Sequence, residues 1–167
     1  MNTRATPRVA AALAALFVFS ATAASGGNDP LRQHALLGEW QFDPQASRFD
    51  GGVPYTRAKA RFTATAACIE VKVEIVEGND RHIDFEYCDR GDGSDAPVKG
   101  NPFYDAETTA WPNPRTAVRM EKRAGKVTGT TMMTVAEDGK SYTATASRTR
   151  PDGIRYTSVI VWKRVAR

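Results

Sequence analysis

From residue 38 onward, apolar and polar positions alternate with period two, and turn residues interrupt the alternation at short intervals. Trp40 and Phe42 share a face on the first such run. Ala58, Ala60, Phe62, Ala64 and Ala66 lie opposite Arg57, Lys59, Arg61, Thr63 and Thr65. Ile69, Val71, Val73 and Ile75 oppose Glu70, Lys72 and Glu74, and beyond Glu77-Gly78-Asn79, Ile83, Phe85 and Tyr87 oppose His82, Asp84 and Glu86. In the later half Pro112-Asn113-Pro114, Ala124-Gly125, Asp138-Gly139 and Pro151-Asp152-Gly153 separate further strand-like runs. Their expected inward residues are Val118 and Met120, then Val127, Thr131, Met133 and Val135, then Tyr142, Ala144 and Ala146. The last run, 154–165, is partly apolar on both faces, with Tyr156, Ile160 and Trp162 against Val159 and Val161, and so calls for cover on both sides.

Before the first strand, Asp29 can cap a short helix over residues 30–37, with Pro30 in its first turn and Gly38 as its stop. No later segment keeps a helical period for ten residues. About eight to ten strands with short connections predict an all-β fold, an antiparallel up-and-down barrel with a short N-terminal helix. A β-sandwich is the main alternative. The barrel is favoured because successive hairpins keep neighbours adjacent and closure removes exposed edges. Gly91 to Asp105, rich in Gly, Pro and Asp, reads as a long loop or short edge strand near one mouth.

The N-terminus lies outside this pattern. Arg4 and Arg8 precede an apolar run from Val9 to Phe19, and Ala21-Thr22-Ala23 provides a small-x-small cleavage pattern, so residues 1–23 read as a signal peptide. The run is too short to cross a bilayer, which needs roughly 20 apolar residues. The expected organisation is a leader (1–23), an N-terminal segment with the short helix (24–37) and a single barrel domain (38–167), periplasmic or extracellular after cleavage near Ala23. The chain has 23 basic and 19 acidic residues, and without Arg4 and Arg8 the net charge falls to +2. So weak an excess argues against a nucleic-acid partner, and stable membrane insertion is not expected.

Cys68 and Cys88 lie on the polar faces of neighbouring strands. If Val76 pairs with Asp80 across the intervening turn, the cysteines oppose each other, within disulfide reach. A disulfide suits an oxidising compartment. His34 and His82 are the only histidines, and no Cys/His/carboxylate cluster has metal-ligand spacing, so neither metal nor cofactor is expected. Most of the carboxylates Asp84, Glu86, Asp89, Asp92, Asp95 and Asp105 are expected in turns or on outward faces. No nucleophile elbow, phosphate loop or nucleotide fingerprint is present, so an enzyme is not expected. The outward stripe Arg57, Lys59 and Arg61 reads as a solvated face paired across strands with Glu70 and Glu74.

Gly38-x-Trp40 on the first strand, following a short helix, resembles the opening motif of lipocalins and their calycin relatives. That resemblance implies that Trp40 closes one barrel end, with Arg164 of the last strand packed across it. Residues Gly38 to Phe49 (GEWQFDPQASRF), Val98-Lys99-Gly100-Asn101-Pro102, Lys126-Val127 and Glu137-Asp138-Gly139-Lys140 are similar to a group of exported bacterial lipocalin-like proteins. The cysteine pair departs from that group's pattern. The resemblance implies the fold and export, and it transfers no catalytic residue.

The functional expectation is a barrel that binds a small, mainly apolar ligand in its interior. The inward alanines leave space, and Phe62, Phe85, Tyr87, Tyr142 and Tyr156 would line it. The alternative is an envelope protein acting structurally or through a protein partner, by its outer face and the 91–105 loop, where Phe103, Tyr104 and Trp111 would offer exposed aromatic contacts.

Overall fold

The computed structural model describes residues 30–149 and 152–166. The leader predicted over 1–23 lies outside them. Among the described residues ten strands form one antiparallel sheet: β1 (Gly38–Phe49), β2 (Tyr55–Ala64), β3 (Ile69–Glu77), β4 (His82–Asp89), β5 (Ala96–Pro97), β6 (Ala106–Asn113), β7 (Thr116–Arg123), β8 (Lys126–Val135), β9 (Ser141–Thr149) and β10 (Arg155–Arg164). The sheet runs β4-β3-β2-β1-β10-β9-β8-β7-β6-β5, so the first and last long strands pair and the chain otherwise follows itself up and down. Its two ends meet where Glu86 and Lys99 exchange backbone hydrogen bonds of 3.0 Å. Gly100 (φ 85°) makes that approach possible, since a Cβ there would collide with the Asp84 carbonyl oxygen. The result is an all-β, nearly closed antiparallel up-and-down barrel.

Burial alternates along the strands as a pleated wall requires. β3 and β4 follow it residue by residue, with Ile69, Val71, Val73, Ile75, Ile83, Phe85 and Tyr87 inside. On β2, Ala58, Ala60 and Phe62 are inside, but the strand ends at Ala64, which is half-buried, and Ala66 lies exposed in the turn beyond. The outer valines of β10, Val159 and Val161, are only half-covered.

The expected helix is shorter than residues 30–37: only Pro30–Gln33 forms a 3-10 turn. The rest of the segment is held by specific bonds across one barrel end. His34 Nε2 lies 3.1 Å from the Asn113 carbonyl oxygen and 3.3 Å from that of Thr116, while its Nδ1 accepts the Leu36 N–H at 3.1 Å. The ring is therefore the neutral Nε2–H tautomer. Trp40 Nε1 donates to the Leu36 carbonyl at 2.7 Å. The Arg164 guanidinium lies 4.0 Å from the centre of the Trp40 ring and donates to the carbonyls of Leu37 (2.8 Å), Ala35 (2.6 Å) and Gly139 (2.7 Å).

Cys68 and Cys88 form a disulfide, with Cα atoms 5.6 Å apart. The register beneath it differs from expectation. Val76 pairs with His82, not Asp80, because the turn runs through Glu77–Arg81 with Asp80 in the left-handed region (φ 61°). Cys88 thus faces Glu70, and Cys68 joins it diagonally from just before β3.

A larger correction concerns β7. Val118 and Met120 point outward; Ala117, Arg119 and Glu121 point in, and all three are buried. Arg123 pairs with Lys126 and Lys122 with Val127, but Glu121 then pairs with Gly129, so Thr128 is an extra residue on β8. A bulge of one residue changes which side chains share a face. Val127 accordingly points outward, at 57% exposure, while Thr131, Met133 and Val135 remain inside.

Candidate functional site

The barrel is hollow. Its interior holds a cavity of about 750 Å³ whose lining extends to Gly51, Gly52 and Val53 of the β1–β2 connection, Asn101 to Tyr104 before β6, and Arg123 and Lys126 on either side of the β7–β8 turn. Apolar groups make most of the wall, among them Ala60, Phe62, Val73, Ile75, Phe85, Met133, Ala144, Ala146, Ile160 and Trp162. Small residues on β2 and β9 account for the space, since alanine leaves room that a larger side chain would fill.

Four of the five residues expected in the interior line this cavity: Phe62, Phe85, Tyr142 and Tyr156. Tyr156 sits near the mouth, where Gly51 and Gly52 pack against its ring. Tyr87 does not line it. The residue is buried, and its hydroxyl lies 3.5 Å from Arg119 Nη1. Tyr142 packs edge-on against Trp40 and stacks with Trp162 at 5.6 Å, which places it deep in the barrel.

One wall is polar, which the sequence reading missed. Glu107 on β6, Glu121 on β7, Gly129 on β8 and Arg148 on β9 form a single cross-strand row. Arg119 and Thr131 lie in the next inward row. Arg148 crosses over Gly129 to grip Glu121 with two bonds, Nε to Oε2 and Nη2 to Oε1, both 2.7 Å. A Cβ at position 129 would lie 2.6 Å from Glu121 Oε2 and 2.9 Å from Arg148 Cγ, so the missing side chain makes this ion pair possible. Arg119 Nη2 and the Thr131 hydroxyl also donate to Glu121 Oε1, at 3.1 and 3.2 Å. Arg119 Nε faces Glu107 Oε2 at 3.5 Å without a hydrogen bond, and neither atom has another partner.

The two glutamates consequently behave in opposite ways. Burial raises Glu107 to about 8, against the pull of Arg119 and a hydrogen bond from Tyr87. Burial also pushes Glu121 upward, but the charge and hydrogen bonds of Arg148, with Arg119, outweigh it and hold that carboxyl at about 2. Both arginines stay charged: burial opposes this, and the surrounding anionic groups overcome it.

The signal for this wall lay in the one-residue surplus of the β7–β8 hairpin. With Thr128 bulged, Arg119 and Glu121 join Thr131 on the inner face. Two other expectations also fail. Of Phe103, Tyr104 and Trp111, only Phe103 is well exposed, at 50%; Tyr104 is buried and Trp111 is half-covered. Asp89, expected in a turn or on an outward face, is buried and accepts the Trp111 Nε1 hydrogen bond at 3.0 Å.

Among the described residues no group of three or more His, Cys, Asp or Glu side chains could hold a metal ion. None of their helices is long and apolar enough to cross a membrane.

Taken together, the topology and the hollow interior define a calycin-like barrel. No family model matches the chain, and no curated protein sequence matches it. Among solved structures the chain is similar to zebrafish ileal bile acid-binding protein complexed with cholic acid. The TM-score is 0.50 at 10% identity, over 78% of this chain and 99% of that one. At that identity the likeness shows the fold.

Proposed function

We propose that this chain is an exported binding protein whose barrel interior holds a small, mainly apolar ligand. The cavity is the observation that carries the reading: about 750 Å³, walled by apolar side chains and marked on one side by the Arg119–Glu121–Arg148 cluster. This matches the general form of a small-molecule site, concave and apolar with a few convergent polar groups. Phe62, Phe85 and Tyr142 would contact the apolar body of the ligand, and Tyr156 would meet it at the mouth. Tyr87 would act through Arg119. Trp40 and Arg164 would keep the opposite end shut. A solved barrel of similar fold holds cholic acid, an amphipathic molecule of suitable size, which supports the reading by analogy. The Cys68–Cys88 bond supports export, because disulfides persist in oxidising compartments.

The test is binding of an uncharged, apolar fluorescent probe such as N-phenyl-1-naphthylamine. Saturable binding that weakens when Ala144→Trp fills the cavity is expected. A folded barrel that gives no saturable signal would end the reading. The alternative, an envelope protein working through its outer face and the 91–105 loop, draws on less, since Phe103 is the one well-exposed aromatic residue of the three proposed for it.

A further inference from the structure

We propose that the barrel takes an amphipathic ligand with a single acidic head, seated against Arg119 and Arg148, and that Glu107 carries a proton while the ligand is bound. The inference rests on the interior-binding reading and adds the ligand's charge and a coupling to protons.

The polar wall contains two guanidiniums and two carboxyl groups, so with both carboxyls ionised it is neutral and an incoming anion gains no net attraction. The two carboxyls are not equivalent. Glu121 belongs to the arginines, accepting three guanidinium hydrogen bonds and one from Thr131. Glu107 is completely buried, and its Oε2 has no donor although Arg119 Nε lies 3.5 Å away, itself without an acceptor. A buried carboxylate with one oxygen lacking a donor, while the other accepts a long 3.4 Å bond from the Thr109 hydroxyl, is costly, and a proton lowers the cost.

The charged and titratable groups around Glu107 are Arg119 and Glu121 on β7 and Tyr87 and Asp89 on β4. The interior also holds Tyr104 from the connection before β6 and Arg148 on β9. Glu121 and Asp89 add to burial in favouring the proton; Arg119 and the Tyr87 hydrogen bond oppose it, and burial prevails. With Glu107 neutral, the groups of this wall that line the cavity, Arg119, Arg148 and Glu121, carry one net positive charge, the complement of one acidic head; Asp89 lies outside that lining.

Exposure within the cavity has the same sense. The Arg148 side chain is 21% exposed and that of Arg119 10%, against 2% for Glu121 and 0% for Glu107. A ligand entering from the mouth therefore meets N–H donors, with the carboxyls behind them. When pH rises and Glu107 loses its proton to solvent, the wall becomes neutral and the anion loses its counter-charge.

The experiment is calorimetric titration of the intact protein with dodecanoate and with 1-dodecanol between pH 7 and pH 9.5, where dodecanoate stays ionised. Expected for dodecanoate is a dissociation constant roughly tenfold weaker at pH 9 than at pH 7, the consequence of one group titrating near 8. The dodecanol constant should not change with pH, and Glu107→Gln should remove the pH dependence for dodecanoate. A constant that is flat with pH in the natural protein, or a slope that survives in E107Q, overturns the proposal. If E107Q does not fold, binding heats of the natural protein at pH 8 in buffers of different ionisation enthalpy report the proton directly; uptake of about half a proton is expected, and none overturns it. Dodecanol binding without dodecanoate binding at any pH removes the acidic head and leaves the interior-binding reading standing. Binding of neither removes both.

Discussion

Replacing Glu121 by glutamine removes the charge that holds two buried guanidiniums together. Its side chain is 2% exposed, and those of its partners Arg119 and Arg148 are 10% and 21% exposed, so solvent screens these contacts little. Removing one partner of a buried ion pair generally costs about 3–5 kcal/mol. The titration of Glu121 leads to the same range. Its carboxyl is held at about 2 against an ordinary 4.5, and at about 1.4 kcal/mol per pH unit that amounts to about 3 kcal/mol at neutral pH. A depressed carboxyl contributes its stability above the unfolded-state value, so this contribution is complete above pH 4.5 and is lost as pH falls towards 2. Glu107, raised to about 8, has the opposite slope between 4.5 and 8. The Glu121 contribution is therefore read as the difference between natural protein and variant. Urea unfolding followed by tryptophan fluorescence should show E121Q less stable by about 3 kcal/mol at pH 7, with the difference shrinking to about 1 kcal/mol near pH 2.5 and closing below about pH 2. A difference under about 1 kcal/mol at pH 7, or curves that stay parallel into acid, would refute the ion-pair account.

Other consequences follow from the same geometry. Gly129→Ala should separate Arg148 from Glu121 and cost about 2 kcal/mol or more by the same unfolding assay, because its Cβ would lie within 3 Å of both side chains. Arg164→Met, which keeps much of the stem but loses three carbonyl bonds, should destabilise by about 3 kcal/mol and raise hydrogen exchange at Leu36 and the Trp40 indole. His34 is shifted below its ordinary value by burial, against two backbone hydrogen bonds. Its contribution is present above about pH 6.5 and is lost as pH falls below that, and a His34→Gln variant should lack this loss in a thermal melt series. Opening the Cys68–Cys88 bond, with its sequence separation of 20, should lower stability by about 3 kcal/mol in the Cys68→Ser/Cys88→Ser double variant, measured at equal denaturant sensitivity.

Alternation alone was enough to place most of the wall. Along most of β3, β4 and β9 the chemistry of each residue agrees with its face, so Ile69 to Ile75, Ile83 to Tyr87 and Tyr142 to Ala146 could be assigned from the sequence, with the inward Glu77, Asp89 and Arg148 towards the strand ends as the exceptions, and the strand count with its short turns implied closure. Covalent pairing of Cys68 with Cys88 was also legible, although the register beneath it was not: a turn that holds Asp80 left-handed shifts the partner of Val76 by two residues, and a diagonal contact serves a disulfide as well as a direct one. The polar wall is the reverse case. Read locally, Val118 and Met120 have the apolar chemistry of an inner face and Arg119 and Glu121 that of an outer one. A single bulged residue, Thr128, reverses them, and the inversion is tolerable because Arg148 on β9 and the bare backbone of Gly129 on β8 supply the partner and the space. No window on β7 contains that information. Periodicity reports what each strand would prefer alone; which side chains share the interior depends on register, a property of pairs of strands, and whether a buried charge can be satisfied depends on residues that only the closed barrel brings together.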